Sequence, residues 1–253
     1  MRAVAVRAGT GADVEVPKRA RAGAGYWVHG YGSMLRWDLI SLRLHLPLLT
    51  SVQILAGAGF VLGISLFFAH IPSAAALYVA TGVPVVNLVT VGLVFEPQLV
   101  ADQRVEGTYD FLRSLPVPRS MAAAAWFTTT LLASLPAVVI AIWVAVLRYD
   151  LALHVTAAIV PAILLVTFTG TMMGYAIAHA VTMPMAARIV SQAAIFLVFG
   201  FSPIMFPAAQ LPGWLEAANR WLPFGSMATI TRSALVDGFA TGVGRAYAVV
   251  FGA

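Results

Sequence analysis

Residues 74–95 read Ala-Ala-Ala-Leu-Tyr-Val-Ala-Thr-Gly-Val-Pro-Val-Val-Asn-Leu-Val-Thr-Val-Gly-Leu-Val-Phe, and no charged side chain interrupts them. A helix crossing the hydrocarbon core of a bilayer needs roughly 20 mainly apolar residues. This stretch meets that need. Four more do so on either side of it: about Leu46–Phe68, Met121–Leu147, Leu151–Ala178 and Ala186–Phe206. A sixth apolar stretch, from about Phe239 to Ala253, is short for a span and carries Gly242, Gly244 and Arg245.

The rest of the chain agrees with a lipid-solvated protein. Of its 253 residues 60% are hydrophobic and 10% charged, and the mean hydropathy is +0.89. Soluble domains carry roughly 25% charged residues, so a chain of this size cannot hide so much apolar surface from water. The absence of cysteine excludes disulfides, thiolate metal sites and cysteine nucleophiles. Arginine is used almost to the exclusion of lysine, and alanine is abundant, which reads as a high-GC bacterial genome. The formal charge of +5 is concentrated near the N-terminus, where it suits a lipid surface better than nucleic acid. Residues 1–25 lack an apolar run long enough for a signal peptide and are expected to form a flexible tail. Residues 26–253 are expected to form a single transmembrane domain.

Loop arginines and lysines orient the spans. With the N-terminus in the cytoplasm, the inner side holds Arg2, Arg7, Lys18, Arg19, Arg21, Arg36, Arg43, Arg104, Arg113, Arg119 and Arg188, against Arg148, Arg220 and Arg232 outside. The expected location is the bacterial plasma membrane, multi-pass, with a cytoplasmic N-terminus.

Three segments are neither spans nor free loops. Leu35, Leu39, Leu42 and Leu46 fall at i, i+4, i+7 and i+11 and form one stripe, with Arg36 and Arg43 on another face and Trp27 and Trp37 suited to headgroup level. That predicts an interfacial helix ahead of the first span. Residues 98–119 mix Asp102, Arg104, Glu106, Asp110 and Arg113 with apolar side chains, and Gly107-Thr108 interrupts them. Thr108 can open a new helix with Asp110 in its first turn, and Pro116 and Pro118 end it. Residues 206–235 are too polar and proline-broken to span and too aromatic for a free loop. Two short helices dipping into the outer leaflet fit them, because irregular backbone at that depth needs cover from protein or water.

These segments resemble the ABC-2 type transporter permeases, the membrane subunits of bacterial drug, polysaccharide and lipid exporters. The most specific match is Arg104-Val-Glu-Gly-Thr-Tyr-Asp-Phe-Leu-Arg-Ser-Leu-Pro-Val-Pro-Arg119. Ser202-Pro203-Ile204, Leu211-Pro212-Gly213-Trp214-Leu215, Pro223 and Arg232 look like the family's outer helices. The charged run before Gly107 is sparser than the family's, with Gln103 and Val105 inside it. The resemblance implies an all-α integral membrane protein with about six transmembrane helices, the sixth short or incomplete, an N-terminal interfacial helix, a cytoplasmic coupling helix and outer re-entrant helices.

It also implies an exporter permease that works by alternating access, with drug or antibiotic efflux ahead of lipid or polysaccharide export. The coupling surface would be Arg104, Glu106, Gly107, Thr108, Phe111, Leu112 and Pro116, with Arg104 and Glu106 facing the partner. That partner would be a cytosolic ABC ATPase carrying ATP and Mg. The chain has no G-x-x-x-x-G-K-[ST] phosphate loop, and no cofactor is expected in it. Paired ATPases imply a second permease, identical or related.

Gln53, Asn87 and Gln192 are the polar side chains within spans, and are candidates for a substrate pathway or for interhelical hydrogen bonds. With so little charge in the spans, an amphipathic small molecule is the expected substrate. Glu96 could be a gate or ion-pair residue, or an acid at the interfacial end of its helix. Pro84, Pro136 and Pro161 are expected to kink their helices. A membrane-embedded enzyme would need convergent acid, base or metal ligands, and the five histidines are scattered with no H-E-x-x-H. A channel without ATP would leave the charged Gly-Thr segment unexplained.

Overall fold

The computed structural model describes residues 23–67, 71–114, 118–151, 153–236 and 242–252. All regular structure among them is helical. Helix α1 (Ala24–Ser41) precedes five long apolar helices: α2 (His45–Phe67), the pair α3 (Ser73–Thr90) and α4 (Glu96–Glu106), α6 (Arg119–Tyr149), α7 (Ile159–Ala180) and α8 (Pro184–Phe201). Short helices α5 (Thr108–Ser114), α9 (Gly213–Asn219), α10 (Pro223–Leu235) and α11 (Val243–Gly252) complete the chain. The protein is an all-α membrane protein.

Partner residues across each interface give the direction of the helices. Thr50 Oγ1 donates to Ala133 O, and Tyr149 OH donates to Val61 O, so α2 and α6 run parallel. Gly57 packs on Asn87, while Val61 joins Val79, Ala80 and Val83, so α3 returns antiparallel to α2. The spans therefore alternate up and down. One end of the bundle carries the α4–α5 elbow and the α7–α8 turn. The other carries α9, α10 and α11.

The quoted stretch is the centre of the bundle: 83% of its apolar window is buried, against 22% for α2 and for α8. It does not stop at Phe95 as its hydropathy suggested. A π-helical turn, Val91–Phe95, joins α3 to α4, and the helix runs unbroken from Ser73 to Glu106. Pro97 supplies a reason. Its ring and missing N–H disrupt the bond an α-helix would make to Leu93, and a widened turn absorbs that defect. Gly92 supplies another. A Cβ there would stand 2.5 Å from Gly170 C, and a Cβ on Gly174 would stand 1.9 Å from Gly92 O. Gly170 and Gly174 thus form the small-xxx-small face on which the π turn lies backbone to backbone.

Other boundaries also differ from the sequence reading, and the fifth span ends at Phe201 rather than Phe206. Helix α1 begins at Ala24, inside the expected tail, while residues 1–22 lie outside the described residues. Its leucine stripe is cut by the turn at Leu42–Leu44, so Leu46 belongs to α2. The fourth span starts at Ile159 rather than Leu151. Residues before it are used elsewhere: His154 N donates to Leu235 O (3.1 Å) and Thr156 N to Ala234 O (2.9 Å), capping the end of α10. Pro161 consequently falls in the first turn of α7, where no N–H is missed and no kink follows. Pro84 and Pro136 lie inside their helices, as expected.

Residues 206–235 contain two helices, as the sequence suggested. Helix α10 is not peripheral, however: Phe224, Met227, Ile230 and Leu235 are buried in the main core with α3 and α7. Arg232, counted above as a loop charge, is buried with them. Helix α11 has ten residues, too few for a full span.

Candidate functional site

The α4–α5 elbow is built by one glycine. Gly107 ends α4 with φ 78°, in the left-handed region, and the chain restarts at once as α5 from Thr108. Val105, Glu106, Asp110 and Phe111 are exposed around the bend, while Thr108 and Leu112 are half-buried. Pro116 lies outside the described residues.

Arg104 departs from the expectation that it faces a partner. Its Nη1 donates to Val181 O (2.5 Å) and Thr182 O (3.2 Å), and its Nη2 to Ala178 O (2.8 Å). These carbonyls belong to the last turn of α7 and the turn after it, where no intrahelical donor remains and a cation suits the helix dipole. The guanidinium also lies 4.7 Å from the centre of the Tyr109 ring. One arginine thus ties α4, α5 and α7 together. Alongside it, Asp102 of α4 pairs with Arg188 of α8. Both side chains of that pair are about half exposed, so its contribution is small. The elbow is held from behind, which leaves Glu106 and Phe111 presented outward.

The candidate pathway residues come together. Gln53 of α2, Asn87 of α3 and Gln192 of α8 line one cleft of about 480 Å³, otherwise walled by apolar side chains such as Phe60, Val86 and Phe199. Gln53 and Asn87 are buried and Gln192 is exposed. Asn87 Nδ2 has no hydrogen-bond partner among the described residues. The cleft opens between α2 and α8, the two least buried spans.

A second cavity, of about 440 Å³, lies behind the elbow between α1, α4, α5, α6 and α7. It was not legible in the sequence, because its residues come from five separate helices. Glu96 lines it and is only 2% exposed. The acid is therefore interior rather than interfacial, since the helix continues a further ten residues past it to Glu106. Asp38 of α1 lines the same space, and burial pushes its carboxyl up to about 7.

The model of the ABC-2 family transporter proteins matches residues 73–249, from the first residue of α3 into α11. The chain belongs to the ABC-2 transporter family. Helices α1 and α2 precede the matched residues, whereas the elbow, the π turn and α10 all lie within them. No curated protein matches the chain. The protein is accordingly a multi-pass membrane permease subunit of an ABC transporter, a transport subunit rather than a catalytic one, and the family implies an ATPase partner.

Proposed function

We propose that this ABC-2 permease exports amphipathic small molecules, drugs or antibiotics among them, across the bacterial plasma membrane, driven by a separate cytosolic ATPase that binds the α4–α5 elbow. The observation that carries this reading is the elbow itself. An ATPase can move a membrane bundle only through a surface that is both exposed and stiffly attached. Glu106, Asp110 and Phe111 supply the exposure, and the Arg104 clamp on α7 supplies the attachment. ATP and Mg reside on the partner. The arginine distribution supports an elbow end that faces the cytoplasm. Exposed Trp214 and Trp221 at the other end suit the outer headgroup layer.

The substrate pathway is assigned to the cleft of Gln53, Asn87 and Gln192, closed by a second permease, identical or related. Its apolar walls and few amides fit an amphipathic molecule better than a sugar chain. ATP binding closes the ATPase pair, the elbow moves, and the paired bundles pass from inward-open to outward-releasing.

Co-purification and hydrolysis test this. The permease is expected to retain an ABC ATPase through affinity purification, and Glu106→Arg combined with Phe111→Ala is expected to abolish substrate-stimulated hydrolysis in proteoliposomes without lowering the melting temperature. Unchanged stimulation in that double variant, or no ATPase retained by the wild type, defeats the coupling role. Loss of dye or antibiotic efflux on deletion checks the substrate class.

A further inference from the structure

The cavity behind the elbow is lined by a buried acid that forms no ion pair among the described residues. Glu96 Oε2 is buried and has no hydrogen-bond partner among the described residues. It is pressed against α7, where a Cβ on Gly174 would lie 3.2 Å from it, and the Trp126 indole lies next to the carboxyl group. Burying a carboxyl group with an unpartnered oxygen is costly, which points to a binding role rather than a stabilising one. Asp38 adds a second carboxyl to the same space.

The basic side chains nearby do not answer them. Arg104 is committed to the α7 carbonyls, and Arg188 to Asp102 on the bundle surface. Arg119 lines the cavity but is exposed, and among the described residues it forms no ion pair. The remaining walls are largely aromatic: Trp37, Tyr109, Trp126, Tyr175 and His179. Ring faces attract cations, and Tyr109 already carries a guanidinium. A bare metal ion is poorly served, because among the described residues no three metal-ligating side chains converge. A cation that brings its own apolar bulk is well served by about 440 Å³, a volume within the range of small-molecule sites.

We propose that this cavity is a binding site for an organic cation, with Glu96 as its buried counter-ion, Asp38 as the second carboxyl and the aromatic side chains as its walls. The site names a substrate class for the exporter reading and rests on that reading for its role. Occupancy itself requires no ATPase. Its place beside Tyr109 and Leu112 puts a bound cation in contact with the inner face of the elbow, so that loading could be sensed where the ATPase is to dock.

The test is calorimetric titration of the purified permease in lipid nanodiscs, without ATPase, using tetraphenylphosphonium, with empty nanodiscs subtracted and tetraphenylborate as the anionic control of equal shape. Wild type is expected to bind the phosphonium and not the borate. Glu96→Gln should weaken binding about tenfold or more, Asp38→Asn should weaken it less, and Glu216→Gln on the surface of α9, at the other end of the bundle, should leave it unchanged. If Glu96→Gln fails to fold, Asp38→Asn and Trp37→Leu on the more open wall carry the test. No binding above empty nanodiscs, equal binding of the borate, or wild-type affinity in the carboxyl variants overturns the proposal. None of these outcomes bears on ATPase coupling, so failure here and failure of the elbow are separately visible.

Discussion

The two ends of the bundle each bury an ionisable side chain, and they treat them differently. At the α9–α10 end, Arg232 is 6% exposed and fully engaged: Nε donates to Thr81 Oγ1 (3.1 Å), Nη2 donates to Ile204 O (2.8 Å), and the guanidinium lies 4.1 Å from the centre of the Tyr78 ring. At the elbow end, Glu96 is as deeply buried, yet one of its oxygens has no partner. A buried charge satisfied by hydroxyl, carbonyl and ring is a clamp between helices. A buried acid that lines a cavity and keeps an unpartnered oxygen is not such a clamp, and on the proposal above it is a counter-ion for a ligand. Burial alone does not distinguish structure from function; the state of the remaining lone pairs and N–H groups does.

Substitutions can break this contrast or sharpen it. The largest effect is expected at Gly174, whose packing on the π turn fixes the helices that carry Glu96. Gly174→Ala drives a methyl into Gly92 O and should cost about 3 kcal/mol, read as loss of folded protein in detergent or as a sharply lowered unfolding midpoint. Arg232→Met should cost about 2 kcal/mol, because Ile204 O and Thr81 lose a charged donor. Glu96→Gln should leave the unfolding midpoint unchanged or raise it, while phosphonium affinity falls about tenfold. A stability loss equal to that of Arg232→Met would erase the contrast.

Smaller effects follow. Arg104→Ala should cost about 1 kcal/mol by uncapping α7, and should raise protease sensitivity at the elbow before the bundle melts. The smallest effect concerns pH. Asp38 is neutral below its raised value of about 7 and ionised above it, so phosphonium binding should tighten severalfold between about pH 6 and pH 8. Glu96, Arg119, His179, Tyr109 and Tyr175 share the cavity. Asp38→Asn and His179→Gln, titrated separately, apportion the slope; a wild-type slope in Asp38→Asn removes Asp38 from the site.

Much of the fold was legible because lipid imposes a simple rule. Long uncharged runs gave all five spans, and Gly107-Thr108 gave the elbow with its bend in place. The errors have identifiable causes. Residues 153–158 look apolar enough to span, but the N–H groups of His154 and Thr156 go to α10, a use no hydropathy window can register. Gly170-x-x-x-Gly174 was readable as a packing face, yet its partner Gly92 lies far away in sequence, beside a proline whose consequence is a π turn. Arg104 read as facing a partner and Glu96 as an acid at the end of its helix; which way each points depends on α7, formed some seventy residues later. Gln53, Asn87 and Gln192 stood out as polar residues in apolar helices, but only the packing of α2, α3 and α8 shows that they share a cleft.

The uninterrupted helix from Ser73 to Glu106 has a mechanical consequence. At 1.5 Å per residue its 34 residues form a rod about 50 Å long. Thr81, near one tip, bears on Arg232, and the other tip ends in the elbow. On the proposed coupling, a push on Glu106 would travel along this rod toward Arg232, and the wider turn at Val91–Phe95 is where the rod can flex. That turn lies directly before Glu96. An ion seated against Glu96 would therefore wedge the joint of the drive shaft, setting how much of each stroke reaches Arg232 and how much is absorbed on the way.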